Sequence, residues 1–162
     1  MGTYLIAQIC LNGHVVTTTA DVQPERQEAF CSKCGEATIT QCPNCSASIR
    51  GKFEYERVVV VGFDAFYKPP AFCHNCGKAF PWTERKIASA VELVEVGANL
   101  SPEEMQQFRS DLTELTKDSP KTQVASLRFN KVMGKAGTSI ASGVRNIVVD
   151  VLSEAAKKAI WG

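Results

Sequence analysis

Histidine is scarce in this 162-residue chain, which holds two copies, and the spacings that recruit histidine to catalysis are missing. There is no HExxH pair, no HxE followed by PCxxC, and no glycine-rich loop to cradle a phosphate. Excess charge of either sign is missing as well, since 18 basic and 17 acidic residues leave a formal charge of +1. The longest basic runs are the dipeptides Arg85-Lys86 and Lys157-Lys158. Nucleic-acid binding draws most of its affinity from lysine and arginine meeting phosphates, so a chain without a basic cluster makes a poor candidate. No secretory segment is read, which sets the expectation of a reducing, cytoplasmic compartment. With no catalytic motif in view, the expectation is that the protein is not an enzyme.

Cysteine, by contrast, is abundant and ordered. Seven cysteines and His14 sort into four short pairs, Cys10/His14, Cys31/Cys34, Cys42/Cys45 and Cys73/Cys76. Eight donors close two tetrahedral zinc sites with none left over, whereas disulfide pairing of seven would strand one thiol. Three of the pairs have the CxxC spacing, which strains a disulfide and suits a knuckle around a metal. In Cys10-Leu11-Asn12-Gly13-His14 the Asn-Gly dipeptide supplies a turn between two ligands. The expected cofactor is therefore two Zn²⁺ per chain, held by all eight residues. His74, inside the last knuckle, reads as solvated surface rather than as a catalytic base.

Sequential pairing puts Cys10, His14, Cys31 and Cys34 on one metal and Cys42, Cys45, Cys73 and Cys76 on the other. The connecting segments of 16 and 27 residues are long enough to carry a strand or hairpin back to the first knuckle, as in a zinc ribbon. Two arrangements compete with it. One joins Cys31/Cys34 to Cys42/Cys45, and the other interleaves the pairs as a cross-brace. Both sites are expected to be closed, whereas a catalytic zinc keeps a position open for water.

The composition changes near Trp82, dividing the chain into a β-rich head, residues 1–83, and a helical region, residues 84–162. The expected fold class is thus α+β: a double zinc ribbon followed by a helical hairpin or small bundle. Strands are predicted over Tyr4–Ile9, His14–Thr19 and Phe53–Val61. Helices are predicted through Ile87, Val91 and Val94 to Gly97, from Ser101-Pro102 with Met105, Phe108, Leu112 and Leu115 as a seam, and from Ser119-Pro120 through Val124, Leu127 and either Phe129 or Val132 before Gly134 and Gly137. A last continuous helix, Ser139 to Trp161, carries Ile140, Val144, Ile147, Val148, Val151, Ala155 and Ala159 on one face.

Residues 84–119 carry −4 and 120–162 carry +5, while the head is neutral. Two zinc ions add four positive charges and seven thiolates add seven negative ones, so the loaded head stands near −3. That weakens the nucleic-acid reading further. Phe63, Phe66 and Tyr67, in the segment from Val58 to Pro70, exceed what a small ribbon can cover, and are read as a partner-binding surface or as packing.

Phe30-Cys31-Ser32-Lys33-Cys34-Gly35, Gln41-Cys42-Pro43-Asn44-Cys45 and Phe72-Cys73-His74-Asn75-Cys76-Gly77, with Pro81-Trp82-Thr83-Glu84 behind, resemble an uncharacterised bacterial family of double zinc-ribbon proteins, a domain of unknown function. The resemblance covers about residues 4–84 and implies a cytoplasmic, metal-bound bacterial protein with no activity to carry over. The expected function is a non-enzymatic interaction or adaptor module with a protein partner or self-association through the helical tail. The alternatives are a nucleic-acid-binding regulator and a membrane-associated effector whose last helix lies on the membrane surface.

Overall fold

Regular structure is sparse in the first half of the chain. The computed structural model describes residues 1–162, which divide into two units, Met1–Thr83 and Glu84–Gly162. The first contains β1 (Thr3–Ile6), β2 (Gln8–Cys10), β3 (Val15–Thr17), β4 (Thr38–Ile39), β5 (Arg50–Glu54) and the short helix α1 (Phe63–Phe66). The expected strand Tyr4–Ile9 is two strands in different sheets: β1 pairs antiparallel with β5, while β2 is the centre of the order β3-β2-β4. Between them Ala7 turns its N–H to Ile49 O at 2.9 Å. The strand expected over His14–Thr19 is trimmed to β3.

Past Glu54 the expected strand Phe53–Val61 fails. Val58 N–H closes a turn on Tyr55 O at 3.4 Å with Arg57 at φ +65°, and Val58–Val61 lie outside any strand with Val59 and Val61 87% and 88% exposed. β-Branched side chains favour a strand only where a neighbour and a covering face exist. Here the outer edge of β5 is already engaged, because Lys52 N–H donates to Thr18 O at 3.1 Å. Gly51 permits that closeness, since a Cβ there would lie 2.2 Å from Thr18 O.

The core of this unit is small. Leu5, Ala7, Ile9, Ala20, Ile49, Phe80 and Trp82 are its buried apolar residues apart from four cysteines. Phe80 stacks on Trp82 at 4.6 Å, and Trp82 Nε1–H donates to Pro70 O at 2.9 Å.

The second unit is helical: α2 (Pro81–Gly97), which starts in the first unit, then α3 (Pro102–Leu115), α4 (Thr122–Ala136), α5 (Thr138–Val148) and α6 (Glu154–Trp161). Ser101 and Glu104 form the expected capping box. α4 begins later than Ser119, because Ser119 N–H donates to Thr122 Oγ1 at 3.0 Å and its hydroxyl takes Lys121 N–H at 3.1 Å, making a turn before the helix. Its register differs from expectation in part, since Phe129 is buried as one of the two expected alternatives. Val124 and Leu127 are exposed at 48% and 58%, and the buried face is Thr122, Ala125, Ser126 and Phe129. Small residues at 125 and 126 suit close approach to α3, and Arg128 fixes the rotation by gripping buried Asp111 with Nε at 3.0 and 3.1 Å from its two carboxylate oxygens.

Residues 139–161 are two helices rather than one. The chain breaks after Val148, Ser153 N–H donates to Leu115 O at 3.0 Å, and the Ser153 hydroxyl caps α6 by accepting from Ala156 N–H at 3.1 Å. Val144, Val148, Val151, Leu152 and Ala156 are buried, so much of the apolar face expected to be continuous lies inside the unit. No helix is long and apolar enough to cross a membrane. The whole is an α+β fold, with short antiparallel strands around the cysteines and helices after them.

Candidate metal centres

The three CxxC segments fold alike. In each, the first cysteine's N–H donates to the carbonyl five residues on: Cys31 to Glu36 O at 2.7 Å, Cys42 to Ala47 O and Cys73 to Lys78 O at 2.8 Å. In each, the residue after the second cysteine donates back to the first cysteine's carbonyl, at 2.8 Å for Gly35 and Ser46 and 3.0 Å for Gly77. Those three residues have φ of +75°, +64° and +73°, a left-handed conformation that costs an L side chain roughly 1 kcal/mol. Glycine occupies two of the positions and Ser46 the third. Ser46→Gly is therefore expected to raise stability by about 0.5 kcal/mol, after the entropy that glycine adds to the unfolded chain. Thermal melts of the metal-loaded protein would show it, and a lowered midpoint would contradict the strain argument. The remaining pair is held differently: Cys10 N–H donates to His14 O and Gly13 N–H to Cys10 O, both at 2.9 Å, at the end of the β2–β3 hairpin.

These four segments converge in two groups. Cys10, His14, Cys31 and Cys34 form one, Cys42, Cys45, Cys73 and Cys76 the other, with the donor atoms of each within 4.8 Å of one another. This is the sequential pairing. β2 places the first group, because Cys10 pairs across from Thr38, at the far side of the Cys31–Cys34 knuckle. Sulfurs Cys10–Cys34, Cys42–Cys76 and Cys45–Cys73 lie 3.7 Å apart, far beyond a disulfide bond of about 2.05 Å. A tetrahedron with centre-to-sulfur bonds of about 2.3 Å has edges of about 3.8 Å, and a nitrogen corner at about 2.0 Å shortens its edges to about 3.5 Å. His14 Nδ1 lies 3.5 Å from Cys10 Sγ and 3.6 Å from Cys31 Sγ. The donors are thus spaced for a tetrahedral metal ion at each centre, and the residues present fit one.

Hydrogen bonding favours negative charge on the second cysteine of each knuckle. Backbone N–H donation from Glu36 lowers the Cys34 thiol to about 6, and from Lys78 lowers Cys76 to about 6. Cys45 is lowered by Ala47 N–H in the same way. The buried first cysteines move oppositely, desolvation pushing Cys42 up to about 11 and raising Cys10. Four thiolates this close repel one another unless a cation lies among them.

A family described as "Uncharacterized protein conserved in bacteria (DUF2321)" matches residues 3–160. The chain belongs to that family. The match runs on through the helices, well past the residues 4–84 on which the resemblance rested. No curated protein and no solved structure matches the chain.

Around the two centres, this member of the family places the other expected residues unevenly. His74 is exposed on the outside of its knuckle. Phe66 is 83% exposed, but Phe63 is half-buried against Tyr67 at 5.9 Å between ring centres. Tyr67 is a structural strut, its hydroxyl donating to Arg50 O at 2.5 Å and burial pushing its phenol upward. Of the three aromatic residues only Phe66 is exposed, and Val59 and Val61 of the same segment share that exposure.

Sequence reasoning missed the asparagines. Asn12 Nδ2 lies 3.5 Å from Cys34 Sγ and Asn75 Nδ2 3.5 Å from Cys45 Sγ, while Asn44 helps to lower the Cys76 thiol. Their signal was present in the repeated Asn-Cys of two knuckles, read only as motif. Gln8 is another, buried and tying Glu28 to β2 through its N–H and carbonyl at 3.0 Å each.

Proposed function

We propose that this protein is a non-enzymatic interaction module in which two structural zinc ions organise residues 1–83. The spacing of the two donor sets supports the reading, since sulfur–sulfur distances of 3.7 Å and sulfur–nitrogen distances of 3.5 and 3.6 Å are those expected of a tetrahedron filled by four protein ligands, as structural zinc takes. Zinc is favoured by a soft set of seven thiolates and one imidazole. Elemental analysis of protein purified without tags or added metal is expected to give two zinc ions per chain. One metal per chain, or iron with visible charge-transfer colour, would overturn it.

The partner surface in this reading is the segment Val58–Val61 together with Phe66, an apolar run left exposed in a unit with a small core. A Val59→Ser/Phe66→Ser double variant is expected to keep both metals and its thermal midpoint while losing the cognate partner in a pull-down from native cell extract. Retained capture by the double variant would move the function elsewhere on the chain.

A further inference from the structure

The asparagine amides are distributed by rule. The donor comes from the opposite half of the same centre: Asn12, in the Cys10/His14 hairpin, reaches Cys34 at 3.5 Å, and Asn75, in the last knuckle, reaches Cys45 at 3.5 Å; Asn44, at the matching place in the middle knuckle, helps to lower the Cys76 thiol. In the all-cysteine centre the exchange is reciprocal. In the other it runs one way only, because the position corresponding to Asn44 and Asn75, immediately before the second cysteine, is Lys33. The terminal ligand of the opposite half there is His14, a neutral imidazole with no thiolate charge to stabilise.

We propose that Asn12, Asn44 and Asn75 are positioning residues that set the charge, and with it the metal affinity, of the thiolate each crosses to meet. The residue before each second knuckle cysteine is asparagine where the opposite half of the centre ends in cysteine, and lysine where it ends in histidine. Amide donation withdraws electron density from sulfur, so the net negative charge of a metal centre, −1 with three thiolates and −2 with four, is stabilised. It also locks the two halves of the centre to each other across the metal. The inference rests on the metal reading of the two donor sets.

Cobalt(II) is the probe, because its sulfur-to-metal charge-transfer bands report the energy of the thiolate lone pairs. In the full chain, Asn44→Ala and Asn75→Ala are each expected to move those bands to lower energy and to weaken zinc at the all-cysteine centre by about ten- to a hundredfold in competition with a chromophoric chelator. Asn75→Asp has the same size without the donor and reproduces the shift if alanine disturbs folding. A packing role would lower affinity without moving the bands. The matching rule has its own cycle: Lys33→Asn alone changes nothing, His14→Cys makes a fourth thiolate, and adding Lys33→Asn to His14→Cys tightens cobalt by about tenfold. Unmoved bands in both asparagine variants, or no gain from Lys33→Asn beside His14→Cys, overturn the proposal. A wild-type chain that takes up no cobalt refutes instead the metal reading beneath it.

Discussion

Stripping both metals with a strong chelator is expected to unfold residues 1–83 and leave α3 to α6 folded. The first unit has a buried apolar set of only seven residues besides cysteines and strands no longer than five residues. Such a core falls short of the chain entropy it must offset, on the order of 1.5 kcal/mol per ordered residue. Structural zinc contributes about 10 kcal/mol or more per site, so its loss exceeds the whole stability of a typical domain. A variant with Trp161 replaced by phenylalanine leaves Trp82 as the sole indole emitter. Trp82 is 1% exposed, and chelation should shift its emission strongly to the red while most of the helical circular dichroism persists. Cys42→Ser should lose one metal and the order around residues 42–76, keeping the first centre. Unchanged Trp82 emission after complete metal removal would show that the ribbon stands on its packing alone.

The second large effect lies among the helices. Phe129 is 1% exposed and lies between Phe108, at 6.0 Å, and the edge of Trp161, at 6.5 Å, so one side chain joins α3, α4 and α6. Phe129→Ala removes about 3–5 kcal/mol, close to the full stability of a unit of this size. Val124→Ala and Leu127→Ala, on the same helix but turned outward, are expected to change stability by under about 0.5 kcal/mol each. Urea unfolding followed by Trp161 emission in a Trp82→Phe background separates these cases. Comparable losses from all three would mean that α4 buries the stripe its hydrophobic pattern suggests.

That contrast shows where the sequence was readable. Metal ligands were legible because their chemistry is carried by few residue types at fixed spacing, and the sequential pairing followed from loop lengths. Ser101 and Glu104 announced α3 because a capping box is a local structure. Val124 and Leu127 misled because helical spacing reports an apolar stripe, not which stripe is buried. The choice was made by Asp111, 17 positions earlier, whose buried carboxylate takes Arg128 and Gln107 at 3.0 Å. Val58–Val61 misled for the related reason that β-propensity has no effect without a free strand edge. The break after Val148 was invisible because Ser153 caps α6 only where Leu115 O is waiting for its N–H.

The order of the ligands along the chain also has a consequence in time. During synthesis the polypeptide emerges from its N-terminus, and all four donors of the first centre precede residue 35, while none of the second precedes residue 42. The first ion can therefore be captured, and its three thiolates withdrawn from competition, before Cys42 has left the ribosome. A cross-braced arrangement would leave both centres open until Cys45 appeared, with as many as five free thiols able to combine wrongly. Sequential closure of one loop after another makes mis-metallation a problem of two successive choices instead of one crowded one.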